Sequence, residues 1–202
     1  MTDFNKTLRE KLKSVAIIEP PKIHEEFVSN EGTIKYLIKL NSGSMIEMVV
    51  IPEKNRRTLC VSSQAGCALQ CTFCATGAQG FEQNLDSYEI IGQLWLANFS
   101  NKNKPITNVV FMGMGEPLLN YDAVIESAKI MKDQLAYGLS RKRITISTSG
   151  IVPNINKLSN EIDVSLAISL HAADDKLRDE IVPINNKYPI KSLIAACKDY
   201  LA

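Results

Sequence analysis

The sequence predicts an α/β fold: an incomplete barrel of about four βα units, preceded by a β-hairpin and a short N-terminal helix. Three observations carry this reading. From Thr58 onward, short apolar segments alternate with helical patterns. Each apolar segment closes in a polar or glycine-rich turn, the mark of parallel strands buried on both faces. The residues able to do chemistry sit at or just after the C-terminal ends of those segments, the end that carries the active site in parallel α/β barrels. Four strands cannot close a barrel, so either an open half-barrel or a chain missing later strands is expected.

The elements follow in order. Residues 3–13 place Phe4, Leu8 and Leu12 at four-residue spacing in a polar background, an amphipathic helix. Pro20-Pro21 starts a connector. Thr33–Leu40 alternates, with Ile34, Tyr36, Ile38 and Leu40 on one face. The turn Asn41–Ser44 leads to a second strand, Met45–Ile51, completing a hairpin. Glu47 is the only acid in that strand, and a carboxylate among Met45, Val49 and Ile51 is costly unless paired, hydrogen-bonded, protonated or turned to water. After the polar loop Pro52–Arg57, Thr58–Ser62 is a short strand. Asp86 is suited to cap a helix running to about Phe99, with Ile90, Ile91, Leu94 and Trp95 facing the core. Asn108–Met112 is a strand closed by Gly113–Pro117, and a helix follows from about Asp122 to Gln134. Arg143–Ser147 is a strand closed by Thr148–Gly150, and Asp163–Leu170 is a strand closed by His171. Helices then cover about Asp174–Glu180 and Ile190–Leu201. Three segments result: an N-terminal helical remnant and linker (1–32), the hairpin (33–57) and the α/β core (58–202).

Composition narrows the function. The 202 residues are 45% hydrophobic, enough for one domain with a sizeable core. The net charge of +1 sets up no global field for nucleic acid, so such a partner must meet a local basic patch. Arg56-Arg57 and Arg141-Lys142-Arg143 are the candidates, or else ordinary solvated charges. No apolar run approaches the roughly 20 residues of a membrane helix, and the start has no signal-peptide core; a cytoplasmic location without membrane attachment is expected.

Five cysteines occur, and Cys60, Cys67, Cys71 and Cys74 lie within fifteen residues. In a cytoplasmic chain such clustering points to a metal site or redox chemistry rather than structural disulfides. Cys67-Ala-Leu-Gln-Cys71-Thr-Phe-Cys74 puts three thiolates in one loop, able to converge on one centre. Three protein ligands on a four-iron cluster leave one iron open. A closed zinc site needs a fourth ligand, and neither His24 nor His171 is near in sequence. Cys197 falls in a helical apolar pattern and reads as core.

With an aromatic residue just before the last cysteine, this loop resembles that of the radical S-adenosylmethionine (SAM) enzymes. The segments Cys60–Cys67, Cys71–Cys74, Gly113–Pro117, Ser147–Gly150 and Ser169–His171, in this order, resemble the RlmN/Cfr family. The resemblance runs from about Thr33 to the C-terminus. It implies a partial radical-SAM (β/α) barrel and a methyltransferase acting on C2 of adenosine in large-subunit rRNA and in tRNA beside the anticodon. Cys67, Cys71 and Cys74 would hold a [4Fe–4S] cluster whose open iron takes SAM. Gly115 and Glu116 would bind the SAM amino group, and Ser147, Ser169, Leu170 and His171 would contact the rest. Glu47 matches the family's proton acceptor. Cys60 matches a second cysteine that resolves a methylcysteine-linked RNA adduct by forming a disulfide. The family's methyl-carrying cysteine has no match in these residues, so the chain is expected to be a fragment. The resemblance also implies an electron donor such as flavodoxin and a monomer. Another radical SAM reaction, or a closed cluster with Cys60 as fourth ligand in an electron carrier, are the alternatives.

Overall fold

The computed structural model describes residues 4–16, 20–100 and 104–201. Helix α1 (Lys6–Val15) begins at Asn5, whose side chain accepts the Leu8 N–H at 2.8 Å, and it buries none of its residues. The first residue of the expected 3–13 helix lies outside the described residues. Strands β1 (Lys22–Val28), β2 (Ile34–Lys39) and β3 (Met45–Pro52) form an antiparallel meander, and β3 pairs antiparallel with β4 (Arg57–Cys60). The hairpin is therefore continuous with the core sheet.

From β4 onward the neighbours run parallel: β4 with β7 (Asn108–Phe111), β7 with β8 (Ile144–Thr148), and β8 with β9 (Ser165–Ile168). These are the four parallel strands that the sequence predicts, and β1-β2-β3-β4-β7-β8-β9 is the order across the sheet. A separate antiparallel pair, β5 (Gln64–Gly66) and β6 (Phe81–Asn84), brackets the cysteine loop and the short helix α2 (Ala75–Gln79).

One face of the sheet is sealed by helices α3 (Ser87–Ser100), α4 (Tyr121–Lys132), α5 (Val152–Glu161) and α7 (Ile190–Leu201). Their apolar residues Ile90, Leu94, Val124, Ile125, Ile155 and Leu193 form one cluster with Leu59, Val109, Phe111, Ile144 and Ile146 of the strands. The opposite face differs from expectation. Cys60, Val110, Thr145 and Ser165 align across β4, β7, β8 and β9, and all four are only half buried. The strands are not buried on both faces, because the sheet stays open between its edge strands β1 and β9 among the described residues, so no opposing strands fill the side that would be a barrel's interior. Since Val49 pairs with Cys60, Glu47 projects from this same half-open face.

Two further differences concern elements. Trp95 does not face the core: it is 40% exposed and stacks on Phe99, with centroids 4.8 Å apart. The buried arc of α3 runs through Ile90, Gln93, Leu94 and Ala97, and Trp95 falls beside it. Strand β1 and helix α5 were also not expected. All seven residues of β1 are exposed, so backbone pairing with β2 defines it, not apolar alternation. Among the described residues, no helix is long and apolar enough to cross a membrane.

Candidate active site

The cysteine loop is a short, tightly pinned excursion. Gly66 ends β5 at φ +73°, and a Cβ there would meet the Gly80 carbonyl at 1.8 Å, so only glycine lets the two loop ends close. Cys67 N–H donates to that carbonyl at 2.9 Å. Cys74 N–H donates to Cys71 O at 3.0 Å, and Cys74 then caps α2. Thr72 N–H donates to Ile181 O, the last residue of helix α6 (Asp175–Ile181), which fastens the loop to the far side of the sheet.

The three thiols converge on one region. Burial pushes Cys67 and Cys71 up, and the charges of the neighbouring thiols and of Glu116 add to the rise. The Ser149 hydroxyl acts the other way on Cys71 by hydrogen-bonding its sulfur. Phe73 packs against His171 with ring centroids 4.4 Å apart and the ring planes tilted by 51°. The loop thus faces the ends of β7, β8 and β9.

Those ends enclose a cleft of about 620 Å³, within the range of small-molecule sites. Gly115, Glu116, Ser147, Ser169, Leu170 and His171 all line it, as the resemblance implies. Gly115 has φ +94°, and a Cβ would meet the Gln64 side chain at 2.5 Å; the turn sits directly on β5. Glu116 is 2% exposed. Its Oε1 accepts the Leu118 N–H at 3.0 Å and its Oε2 the Ser149 N–H at 2.8 Å. Burial pushes its carboxyl above the usual range, against the pull of these donors. Ser147 and Ser169 approach each other at 3.4 Å between hydroxyls. His171 holds a left-handed backbone, φ +60°, which turns it into the cleft.

Cys60 and Glu47 do not line the cleft; they share the half-open face of the sheet, Cys60 beside Val110 of β7. Burial pushes the Cys60 thiol up to about 11, opposed by a hydrogen bond with the Met112 backbone, and Met112 lines the cleft. All five cysteines are free, with no disulfide among them. Glu47 is half exposed, and Lys35 donates to its Oε1 at 2.9 Å; this acid is accommodated both by pairing and by facing water. Ser62 ties its strand to the site: the Ser62 hydroxyl donates to Glu47 O and accepts Met114 N–H at 2.9 Å.

Three contributors escaped the sequence reading. Ser149 touches both Cys71 and Glu116, yet only Ser147 of that motif was singled out. Gln64 receives Glu116 N–H at 2.8 Å. Arg178 is fully buried, and a fully buried arginine has no sequence signature of its own. Of the basic pairs considered for RNA, Arg57 is structural: it is buried and donates to Ala97 O at 3.2 Å and Lys104 O at 2.6 Å. Arg56 pairs with Glu53 and Arg141 with Asp163, both at the surface.

Three thiols in one loop, close enough to act on one another, are a donor set that suits an iron–sulfur cluster. Among the described residues no three His, Cys, Asp or Glu side chains are gathered closely enough to grip a single metal ion. The family model of the radical SAM superfamily matches residues 61–201. The chain belongs to the radical SAM superfamily. The superfamily's [4Fe–4S] cluster and SAM suit the loop and the cleft just described. Over its whole length the chain is 57% identical to a protein of Pseudomonas putida (strain W619) named dual-specificity RNA methyltransferase RlmN, of which it covers 55%. It is 55% identical over 99% of its length to a protein of the same name from Alcanivorax borkumensis, covering 54% of it. A crystal structure of a radical SAM methyltransferase from Sphaerobacter thermophilus superposes with TM-score 0.91 and 42% identity, over 99% of this chain and 60% of that one. The resemblance to RlmN stands, and the chain spans about half the length of the curated relatives it matches.

Proposed function

We propose that this chain is the cofactor-binding part of a radical SAM methyltransferase that modifies C2 of adenosine in large-subunit rRNA and in tRNA beside the anticodon. The reading rests on the names of its relatives and on one observation: the three-cysteine loop, through Phe73 against His171, lies beside the cleft that six strand-end residues line. Residues 58–202 are the radical SAM core, and residues 1–32 belong to an accessory region. Bound there, a [4Fe–4S] cluster and SAM supply the one-electron chemistry that C2 of adenine, which is not a nucleophile, requires.

The chain's own residues have distinct tasks. Cys67, Cys71 and Cys74, each partly buried, hold the cluster. Glu116 and Gly115 receive the SAM amino group: the carboxylate is fixed by two backbone N–H groups and keeps lone pairs for a ligand. Ser147, Ser169, Leu170 and His171 orient the remainder, with Phe73 packed behind the imidazole. Cys60, which matches the family's second cysteine, would form the disulfide with a methyl-carrying cysteine only after losing the proton that burial holds on its thiol, and the substrate-side base would have to take that proton. Glu47, held by Lys35 on the same face, accepts the substrate proton. The electron donor is a flavodoxin-like protein.

The alternative is a closed cluster with Cys60 as fourth ligand. Cys60 lies two residues before the end of its apolar run and is governed by burial and Met112, whereas the other three thiols act on one another. This favours an open iron. The deciding experiment is electron paramagnetic resonance of the anaerobically reconstituted, reduced chain. SAM is expected to shift the cluster signal, and Cys60→Ala to retain it. A signal indifferent to SAM and lost in Cys60→Ala would establish the closed site instead. The chain alone is expected to give no 2-methyladenosine from rRNA or tRNA; its appearance would refute the division of tasks above.

A further inference from the structure

Helix α6 inserts one charged side chain into the base of the site. Arg178 is 0% exposed. Its Nε donates to Leu170 O at 2.9 Å, its Nη1 to Asn185 Oδ1 at 2.6 Å, and its Nη2 to Ser149 O and, at 3.4 Å, to Ser169 O. The carbonyls belong to the segments that follow β8 and β9, both of which line the cleft. Ser149 is the hub: its N–H holds Glu116 Oε2 and its hydroxyl meets Cys71. The acidic groups around the guanidinium are Asp175 and Asp179, and the Cys71 sulfur lies within electrostatic reach of it. The same helix receives the cluster loop through Thr72 N–H and Ile181 O. A buried charge costs stability unless it is fully hydrogen-bonded. Here its four acceptors lie in three segments, and two of them are the strand ends that hold the cofactor.

We propose that Arg178 is a positioning residue, whose fork ties the β8 and β9 ends together and sets Ser149 between Cys71 and Glu116, while its charge makes the nearby cluster easier to reduce. This rests on the cofactor reading above. Lysine at this position keeps the charge and loses the planar fork; methionine loses both.

The test uses the reconstituted 202-residue chain with Arg178→Lys and Arg178→Met. Three quantities are measured: SAM affinity from the shift of the cluster's resonance, the cluster's reduction potential, and amide hydrogen exchange of the metal-free chain. Both variants are expected to bind SAM about 10- to 100-fold more weakly, the usual effect of losing an outer-shell partner. Exchange should quicken at 149–151 and 169–172 but not in α3 and α4. The potential should fall in Arg178→Met and stay near the parent value in Arg178→Lys. Unchanged SAM affinity in both variants, or equal potentials in all three proteins, would overturn the assignment. So would general loss of folding in both, which would make Arg178 a residue of fold stability alone. If the parent chain itself shows no SAM-dependent shift, the cofactor reading falls, and the role of Arg178 falls with it. If the parent shifts and the variants shift equally, only the role of Arg178 falls.

Discussion

At the scale of single residues, Cys60 and Gly66 make opposite demands on their surroundings. Cys60 is buried enough to keep its proton at neutral pH, its thiol pushed up to about 11. Peptide mapping after iodoacetamide treatment should therefore find Cys60 modified slowly at pH 7 and increasingly as pH nears 11. The sign for stability follows. The unfolded thiol ionises near 9.0 and the folded one at about 11, so the contribution is full below pH 9 and is lost as pH rises towards 11. Its full size is roughly 3 kcal/mol. Cys60→Ser should flatten the fall in unfolding free energy between pH 9 and 11; an unchanged slope would mean the thiol is not buried as described. Gly66 has no such latitude. Gly66→Ala meets a left-handed backbone, worth about 1–3 kcal/mol on its own, and in addition the Gly80 carbonyl. Lower iron content after reconstitution and a lower urea midpoint are the expected results.

At the scale of elements, the site depends on how β4 is held. Gln93 of α3 is fully buried; its Oε1 accepts Ser62 N–H and its Nε2 donates to Ser62 O, both at 2.9 Å. That side chain completes the backbone hydrogen bonding just before the chain enters β5 and the cysteine loop. Gln93→Leu should cost about 1–3 kcal/mol for each group left unpaired, seen as a lower denaturation midpoint, with SAM affinity reduced in parallel. The strands β2, β3, β4, β7, β8 and β9 were legible because apolar alternation or short apolar runs marked them. Helix α5 was legible in principle, since Ile151, Ile155, Leu158 and Ile162 recur at helical spacing with Pro153 in the first turn. Strand β1 was not, because its residues bury nothing and only pairing defines it. The six cleft residues were legible through motifs at strand ends. Ser149 and Arg178 were not, because their roles lie in contacts between segments distant in sequence.

At the scale of the whole molecule, one sheet face is sealed by helices and the other carries Glu47, Cys60, Ser147 and the cleft. The half-open face leaves Cys60 and Glu47 only partly buried. Adding SAM to the reconstituted chain should raise its melting temperature, and Glu116→Ala should abolish that rise. A rise that survives the substitution would place SAM elsewhere. The sequence by itself determined the parallel α/β class, the three-cysteine loop and the residues at the strand ends, because each is written in local spacing: alternation, a turn, thiols three and two residues apart. Only the tertiary structure decided that Trp95 lies outside the core, that Arg57 serves carbonyls instead of phosphates, that Lys35 pairs with Glu47, and that Ser149 and Arg178 join the cluster loop to the cleft. Those outcomes depend on which surfaces meet once the sheet has formed, and desolvation and hydrogen-bond geometry at such meetings leave no period in the chain.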